Sequence, residues 1–199
     1  PDYWCKLASE SPDTVDRSLD AVEYHADWFD LLGLPPSPYY GINVHIGATY
    51  GDKDATAARF RDAVDRLSPA ARAHLTVEND DKPGLWSVPE LVEAVAEPTG
   101  VPVVFDYHHH TFTDRGLTYR EAFDVAADTW DDVRPATHYT EPERLHDPGS
   151  DARPQAHAAS VSDLPTWLRD QSDVMLEAGQ KEQVVFRVRN EASPERSGD

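Results

Sequence analysis

Imidazole and carboxylate side chains recur in this chain at the ends of short apolar runs. Pro102-Val103-Val104-Phe105-Asp106-Tyr107-His108-His109-His110 passes from an aliphatic body to one acid and three consecutive histidines. The same change of character follows four other runs, which close on His45, Glu78, His138 and Glu177, and His157 follows a polar stretch. Nitrogen and carboxylate oxygen donors without a thiolate suit Mn²⁺, Zn²⁺ or a similar divalent ion, and carboxylates able to bridge suit more than one. Two or three such ions can bind a scissile phosphate, generate hydroxide near neutral pH and stabilise a leaving oxygen. Each residue also has a plainer use. His45 fits a hydrogen-bonded core histidine, Glu78 a cap on the next turn, Glu177 a partner for Arg187 or Lys181, and the triplet a solvated turn. These plainer uses would all have to coincide at equivalent positions, so the joint metal reading is preferred. His25, His74 and His146 fall on helix or loop surfaces and are set aside.

Such residues act together only if the elements carrying them deliver them to one place. Strand and helix alternate along the chain, the pattern of parallel βα units. Strands are predicted over Tyr40–Ile46, Leu75–Val77, Val103–Phe105, Arg134–Tyr139 and Asp173–Glu177. Ser11 and Pro12 open a first helix that Gly33 ends, and Asp52–Leu67 is a second. Ser87 with Glu90 caps a third that stops at Thr99-Gly100. Thr118–Trp130 is a fourth and Ser162 opens a fifth. Glu182–Arg189 reads as a last helix, with strand left open, and residues 191–199 as a flexible tail. Glu141–Pro154, rich in Pro, Gly and Asp, is a long loop. Parallel strands present their C-terminal ends at the ligand-binding face of an α/β fold. Five βα units in 199 residues fall short of the about 250 of a (β/α)₈ TIM barrel. The expected fold is therefore such a barrel lacking about its first three units, in one domain over residues 1–190. A five-stranded doubly wound sheet is the alternative, without a Gly-rich phosphate loop to support it.

The formal net charge is -19, from 37 acidic against 18 basic residues, and the only lysines are Lys6, Lys53, Lys82 and Lys181. A surface of that sign opposes nucleic acid, whose binding rests on cation-to-phosphate contacts. Scattered acids along helix faces also suit a protein kept soluble in high salt, where repulsion is screened. Net charge thus leaves a DNA substrate open. One cysteine, Cys5, excludes a disulfide framework within the chain, and with no apolar run of membrane length a cytoplasmic protein is expected.

Several of these segments match one family in order. Ile42-Asn-Val-His45-Ile-Gly-Ala-Thr-Tyr50-Gly-Asp-Lys53, Leu75-Thr-Val-Glu78-Asn-Asp80-Asp-Lys82, Val104-Phe-Asp106-Tyr-His-His109-His, Arg153-Pro-Gln-Ala-His157 and Asp173-Val-Met-Leu-Glu177-Ala resemble the UV damage endonucleases. The resemblance implies a TIM barrel that nicks double-stranded DNA immediately 5′ of UV photoproducts with two or three divalent ions, commonly Mn²⁺, with Zn²⁺ or Mg²⁺ as alternatives. It implies His45, Glu78, Asp106, His109, His138, His157 and Glu177 as ligands. Glu78, Asp106 and Glu177 would serve catalysis with Lys53, and Tyr50 and Lys53 would steady the DNA backbone. Three positions depart from the family pattern. Pro1-Asp2 corresponds to the residues directly after a metal-binding His. Tyr3 and Trp4 stand where the family places Gln and an aromatic against the lesion. Ala136 replaces a Lys two residues before His138. Related barrels imply two rival activities, abasic-site cleavage and sugar isomerisation, and a truncated, inactive metal-binding chain is the third rival. The full-length protein is expected to be monomeric, and this segment alone to be poorly stable because an open parallel sheet exposes its edges.

Overall fold

The computed structural model describes residues 4–191. Tyr3, predicted against the lesion, and residues 192–199 of the predicted tail lie outside them. Among the described residues the strands are β1 (Ile42–Val44), β2 (Leu75–Glu78), β3 (Val103–Asp106), β4 (Ala136–Tyr139) and β5 (Asp173–Leu176). They form one parallel half-barrel in the order β1-β2-β3-β4-β5. A doubly wound sheet reverses its order at a switch point; this sheet runs in sequence order from edge to edge.

Register decides what each face of the sheet carries. Asn43 pairs with Thr76, Glu78 with Val104, Asp106 with His138 and His138 with Met175. Paired residues share a face and alternate residues change it. One face therefore holds Glu78, Asp106 and His138 together. The other holds Ile42, Val44, Leu75, Val77, Val103 and Phe105, all in the apolar core. Phe60, Phe123, Leu91 and Leu168 from the helices meet that second face, fully buried. Each such side chain contributes roughly 1.5–3 kcal/mol of hydrophobic stabilisation.

The helices are α1 (Pro12–Leu31), α2 (Lys53–Arg66), α3 (Pro69–His74), α4 (Val88–Leu91), α5 (Glu97–Thr99), α6 (Tyr107–Thr113), α7 (Tyr119–Ala127), α8 (Glu143–His146), α9 (Thr166–Gln171) and α10 (Glu182–Glu191). A π-helical turn, Val92–Ala96, joins α4 to α5. Asp52 caps α2 by accepting from the Ala55 N–H at 2.9 Å. Glu90 accepts from the Ser87 backbone and hydroxyl at 2.9 and 2.7 Å, and Gly100 ends that run at φ +75°. Such a left-handed residue is where a Cβ would be strained. No helix among the described residues is long and apolar enough to cross a membrane.

Five features differ from expectation. His74, expected on a surface, is buried with Nδ1 against the Ser37 and Tyr40 carbonyls at 3.1 and 3.0 Å. α3 follows α2 after a break at Leu67-Ser68, a helix of 6 residues, too short to show a period. The His triplet is the first half of α6 and all three rings are buried; it is no solvated turn. α9 starts at Thr166, because Ser162, expected as a cap, gives its N–H and hydroxyl to Glu141. The long loop contains α8 and an antiparallel bridge of Pro142 with His157.

Candidate metal centre

Glu78 ends β2 with 2% exposure. Its Oε2 lies 3.1 Å from His138 Nδ1 and 3.6 Å from His45 Nε2, and its Oε1 lies 3.2 Å from His109 Nδ1. His138 Nδ1 is also 3.3 Å from Glu177, which reaches His157 at 3.4 Å. Asp106 stands 3.8 Å from His109 Nδ1. The seven predicted ligands, His45, Glu78, Asp106, His109, His138, His157 and Glu177, thus form one unbroken chain of contacts. Strand geometry brings them there: they sit at or just past the C-terminal ends of the five strands, with α6 supplying His109 and the long loop His157.

Two groups of donors each lie within 4.8 Å of one another, His45 with Glu78 and His109, and Glu78 with Asp106 and His138. Glu78 belongs to both. Glu78 Oε1, Asp106 Oδ2 and His138 Nδ1 are buried without a hydrogen-bond partner. Buried polar atoms left so are costly, of order 1–3 kcal/mol each, and a bound cation would satisfy them. The donor set and its orphaned atoms fit divalent ions.

The electrostatics point the same way. Burial pushes the Asp106 carboxyl up to about 7, with the negative charge of Glu78 adding to the shift and His109 opposing it. Burial alone would lower His109, but its contact with Glu78 and the charges of Asp106 and Glu78 raise it to about 10. His138 likewise stands at about 9, against burial, because of Glu78, Glu177 and Asp106. Glu78 itself is held well below the usual carboxylate range despite its burial by His138, His109 and His45. Protons on the two histidines thus supply the positive charge in this pocket.

His108 and His110 share the triplet with His109 but not its place. His110 Nε2 donates to the Leu117 carbonyl at 3.0 Å. His108 packs edge-on to His157 with ring centroids 5.5 Å apart, and burial with the neighbouring histidines lowers it to about 4. Helical spacing, which sends successive side chains in different directions, separates the three.

The remaining predicted residues lie outside the donor chain. Lys53 Nζ donates to the Leu85 carbonyl at 2.6 Å and to Glu90 at 2.7 Å, where Arg115 also pairs with Glu90 at 2.9 Å. Those cations, with Ser87, lower Glu90 to about 2 against its burial. Tyr50 is exposed at φ +48° beneath the Arg59 guanidinium, 5.2 Å away. Trp4 is exposed beside Cys5 and Arg17.

Three residues support the centre without having been singled out from sequence. Asn43 accepts from the Thr76 hydroxyl at 3.1 Å and donates to Glu78 Oε2. Asp80 Oδ1 faces His45 Nδ1 at 3.3 Å. Asn79 joins β2 to Asp106 through its amide. Their signal in sequence is membership of the motifs around His45 and Glu78; the long-range bonds that give them a role leave no period. A groove of about 580 Å³ reaches the centre, lined by Lys6, His45, Asp80, Lys82 and His109 among others.

Comparison with known proteins agrees with this architecture. Residues 1–196 match the family described as UV-endonuclease UvdE. The chain is 33% identical to the UV-damage endonuclease of Neurospora crassa over 201 residues, 94% of this chain and 30% of the relative. It is 31% identical to the UV DNA damage endonuclease of Bacillus pumilus, covering 97% of this chain and 60% of the relative. The crystal structure of SacUVDE superposes with a TM-score of 0.82 at 28% identity, over 97% of this chain and 64% of that one. The chain thus spans less than two thirds of the relatives it matches. Over that span fold and matched sequence agree, and the chain belongs to the UV-endonuclease UvdE family.

Proposed function

We propose that the protein carrying this chain is a divalent-metal-dependent DNA repair endonuclease. It cuts the backbone of double-stranded DNA immediately 5′ of UV photoproducts, both pyrimidine dimers and 6-4 products. The observation that carries the reading is the sharing of Glu78 by two donor groups, in a chain of this family. His45, Glu78 and His109 would hold one ion, and Glu78, Asp106 and His138 a second; Glu177 with His157 offers a place for a third. Ions of the Mn²⁺ kind supply the positive charge that phosphodiester hydrolysis needs at its attacking and leaving oxygens. We place the half-barrel as part of a (β/α)₈ barrel, supported by its parallel, in-order strands.

This chain's own residues supply position and field. Lys6 and Lys82, two of only four lysines in a chain of net charge -19, line the groove beside His45 and His109. They are local cations for phosphates flanking the cut, where the rest of the surface repels DNA. Lys53 serves at one remove: its ammonium holds Leu85, next to the Trp86 N–H that donates to Asp80 at 3.3 Å. Exposed Trp4 would press against distorted bases, and Tyr50, beneath the Arg59 guanidinium, would steady the backbone.

The test is nicking of supercoiled plasmid by the full-length protein with Mn²⁺. UV-irradiated plasmid should be cut and unirradiated plasmid spared. The Glu78→Gln variant should lose at least about 100-fold in rate, since even outer-shell changes at metal sites cost 10–100-fold. Equal cutting of abasic and irradiated DNA, or turnover of free sugars, would replace this function with one of its rivals.

A further inference from the structure

We infer that Asn79 is a positioning residue of the metal centre: it fixes Asp106 relative to Glu78 and sets the orientation of the His109 ring. The inference rests on the metal reading above.

Asn79 follows Glu78 directly, and its side chain is wholly buried. The pairing of β2 with β3 covers Val77 with Val103 and Glu78 with Val104, and β3 continues to Asp106. At that level the Asn79 side chain takes the place of a strand partner. Its Oδ1 accepts from the Asp106 N–H at 2.8 Å and its Nδ2 donates to the Asp106 carbonyl at 3.1 Å. Both polar backbone groups of Asp106 are thereby held by one amide. A residue held at its N–H and its carbonyl has little freedom in either dihedral. Asp106 needs that restraint, because β3 gives way to α6 there and its Oδ1 caps the new helix by accepting from His109 N–H at 2.7 Å.

The backbone of Asn79 holds the other ligand of α6. Its carbonyl lies 2.9 Å from His109 Nδ1. A carbonyl can only accept, so Nδ1 carries the hydrogen and Nε2 is left as the nitrogen able to bind a cation once deprotonated. Metal-binding histidines are commonly oriented by such a bond from the second ring nitrogen. One residue therefore contacts two predicted ligands and is covalently joined to a third, Glu78. A buried amide that merely satisfied itself at a sheet end would have no reason to meet only ligand-bearing residues. The hydrogen bonds of the Asn79 side chain and carbonyl go to Asp106 and His109, both predicted ligands.

The test uses the intact protein and Mn²⁺ alone, titrated by isothermal calorimetry and by loss of the free-ion electron paramagnetic resonance signal. Asn79→Ala should raise the Mn²⁺ dissociation constant about 10–100-fold, the usual cost of losing an outer-shell partner. The control is Trp130→Phe, which removes the 2.7 Å bond from Trp130 Nε1 to the Val103 carbonyl at the other end of β3. It should lower the thermal midpoint and leave Mn²⁺ affinity at the wild-type value. A folded Asn79→Ala protein that binds Mn²⁺ as tightly as wild type overturns the inference. If Asn79→Ala does not fold, Asn79→Ser is titrated. If both unfold, wild type and variants are titrated in a stabilising osmolyte that keeps all of them folded: equal Mn²⁺ affinity overturns the inference, and a loss of at least about tenfold supports it. A wild-type protein that binds no Mn²⁺ removes the metal reading itself, an outcome distinct from equal binding by wild type and variant.

Discussion

His138 Nδ1 lies 3.1 Å from one oxygen of Glu78, and the other oxygen of the same carboxylate lies 3.2 Å from His109 Nδ1. The two histidines come from different elements, β4 and α6, and Glu78 faces both from β2. Loss of this one carboxylate should therefore be felt by both donor groups. Glu78→Gln should lower the number of Mn²⁺ ions bound per chain by two in equilibrium dialysis, whereas His45→Ala should lower it by one. Loss of a single ion from Glu78→Gln would show that the groups do not share it.

Proton release should accompany metal binding. With the site empty, His109 at about 10 and His138 at about 9 are protonated at pH 7, and a cation must displace those protons. Mn²⁺ affinity should rise between pH 6 and 9, by up to about tenfold per pH unit for each proton displaced. An indicator dye in weak buffer should report the release, and a flat profile would rule out both histidines as ligands.

The metal-free protein should show the reverse trend in stability. A histidine whose folded pKa is raised stabilises the fold fully below its unfolded value near 6.5, and that contribution disappears as pH rises through 9 to 10. Asp106, kept protonated up to about 7 by burial, acts in the same sense: its folding cost grows as pH climbs from its ordinary value toward 7. Thermal midpoints without metal should fall from pH 6.5 to pH 10, and saturating Mn²⁺ should flatten or invert the slope.

Salt should discriminate the lysines of the groove from cations elsewhere. Lys6→Ala and Lys82→Ala should each reduce the slope of log affinity for irradiated duplex against log salt by about 0.9. Arg66→Ala, which removes an exposed pair with Asp16, should leave that slope unchanged. Filter binding across a salt series measures all three.

Glu141 should control the loop that presents His157. Its buried carboxylate accepts from the N–H and hydroxyl of Ser162, the Asp163 N–H and His146 Nε2, the last at 2.5 Å. Glu141→Ala strands those donors, at about 1–3 kcal/mol for a buried one. Limited proteolysis should then cut within residues 147–160 at least tenfold faster, while the exchange of β3 amides stays slow.

Much of this site was legible because strand alternation is a local signal. An aliphatic strand that changes to His or an acid at its end marks the residue that will reach the mouth, and the family motifs around His45, Glu78 and Asp106 pin the register. The contacts that sequence could not display are held by long-range bonds. Asn79 meets Asp106 27 residues away, and Glu141 meets Ser162 21 residues away. The helix of the His triplet left no signal of its own: three consecutive imidazoles hide its period, and only the family motif singled out His109 before Asp106 turns the chain into α6. The six residues of α3 lacked the length to show a period.

Asp106 divides its two oxygens between different tasks: Oδ1 starts α6, and Oδ2 is buried with no hydrogen-bond partner. A single rotating bond thus couples the occupancy of the pocket to the first turn of the helix bearing His108, His109 and His110. Filling or emptying the pocket cannot be a purely local event, because whatever draws on one oxygen retunes the other. Around α6, the rim of this half-barrel would register whatever fills the pocket.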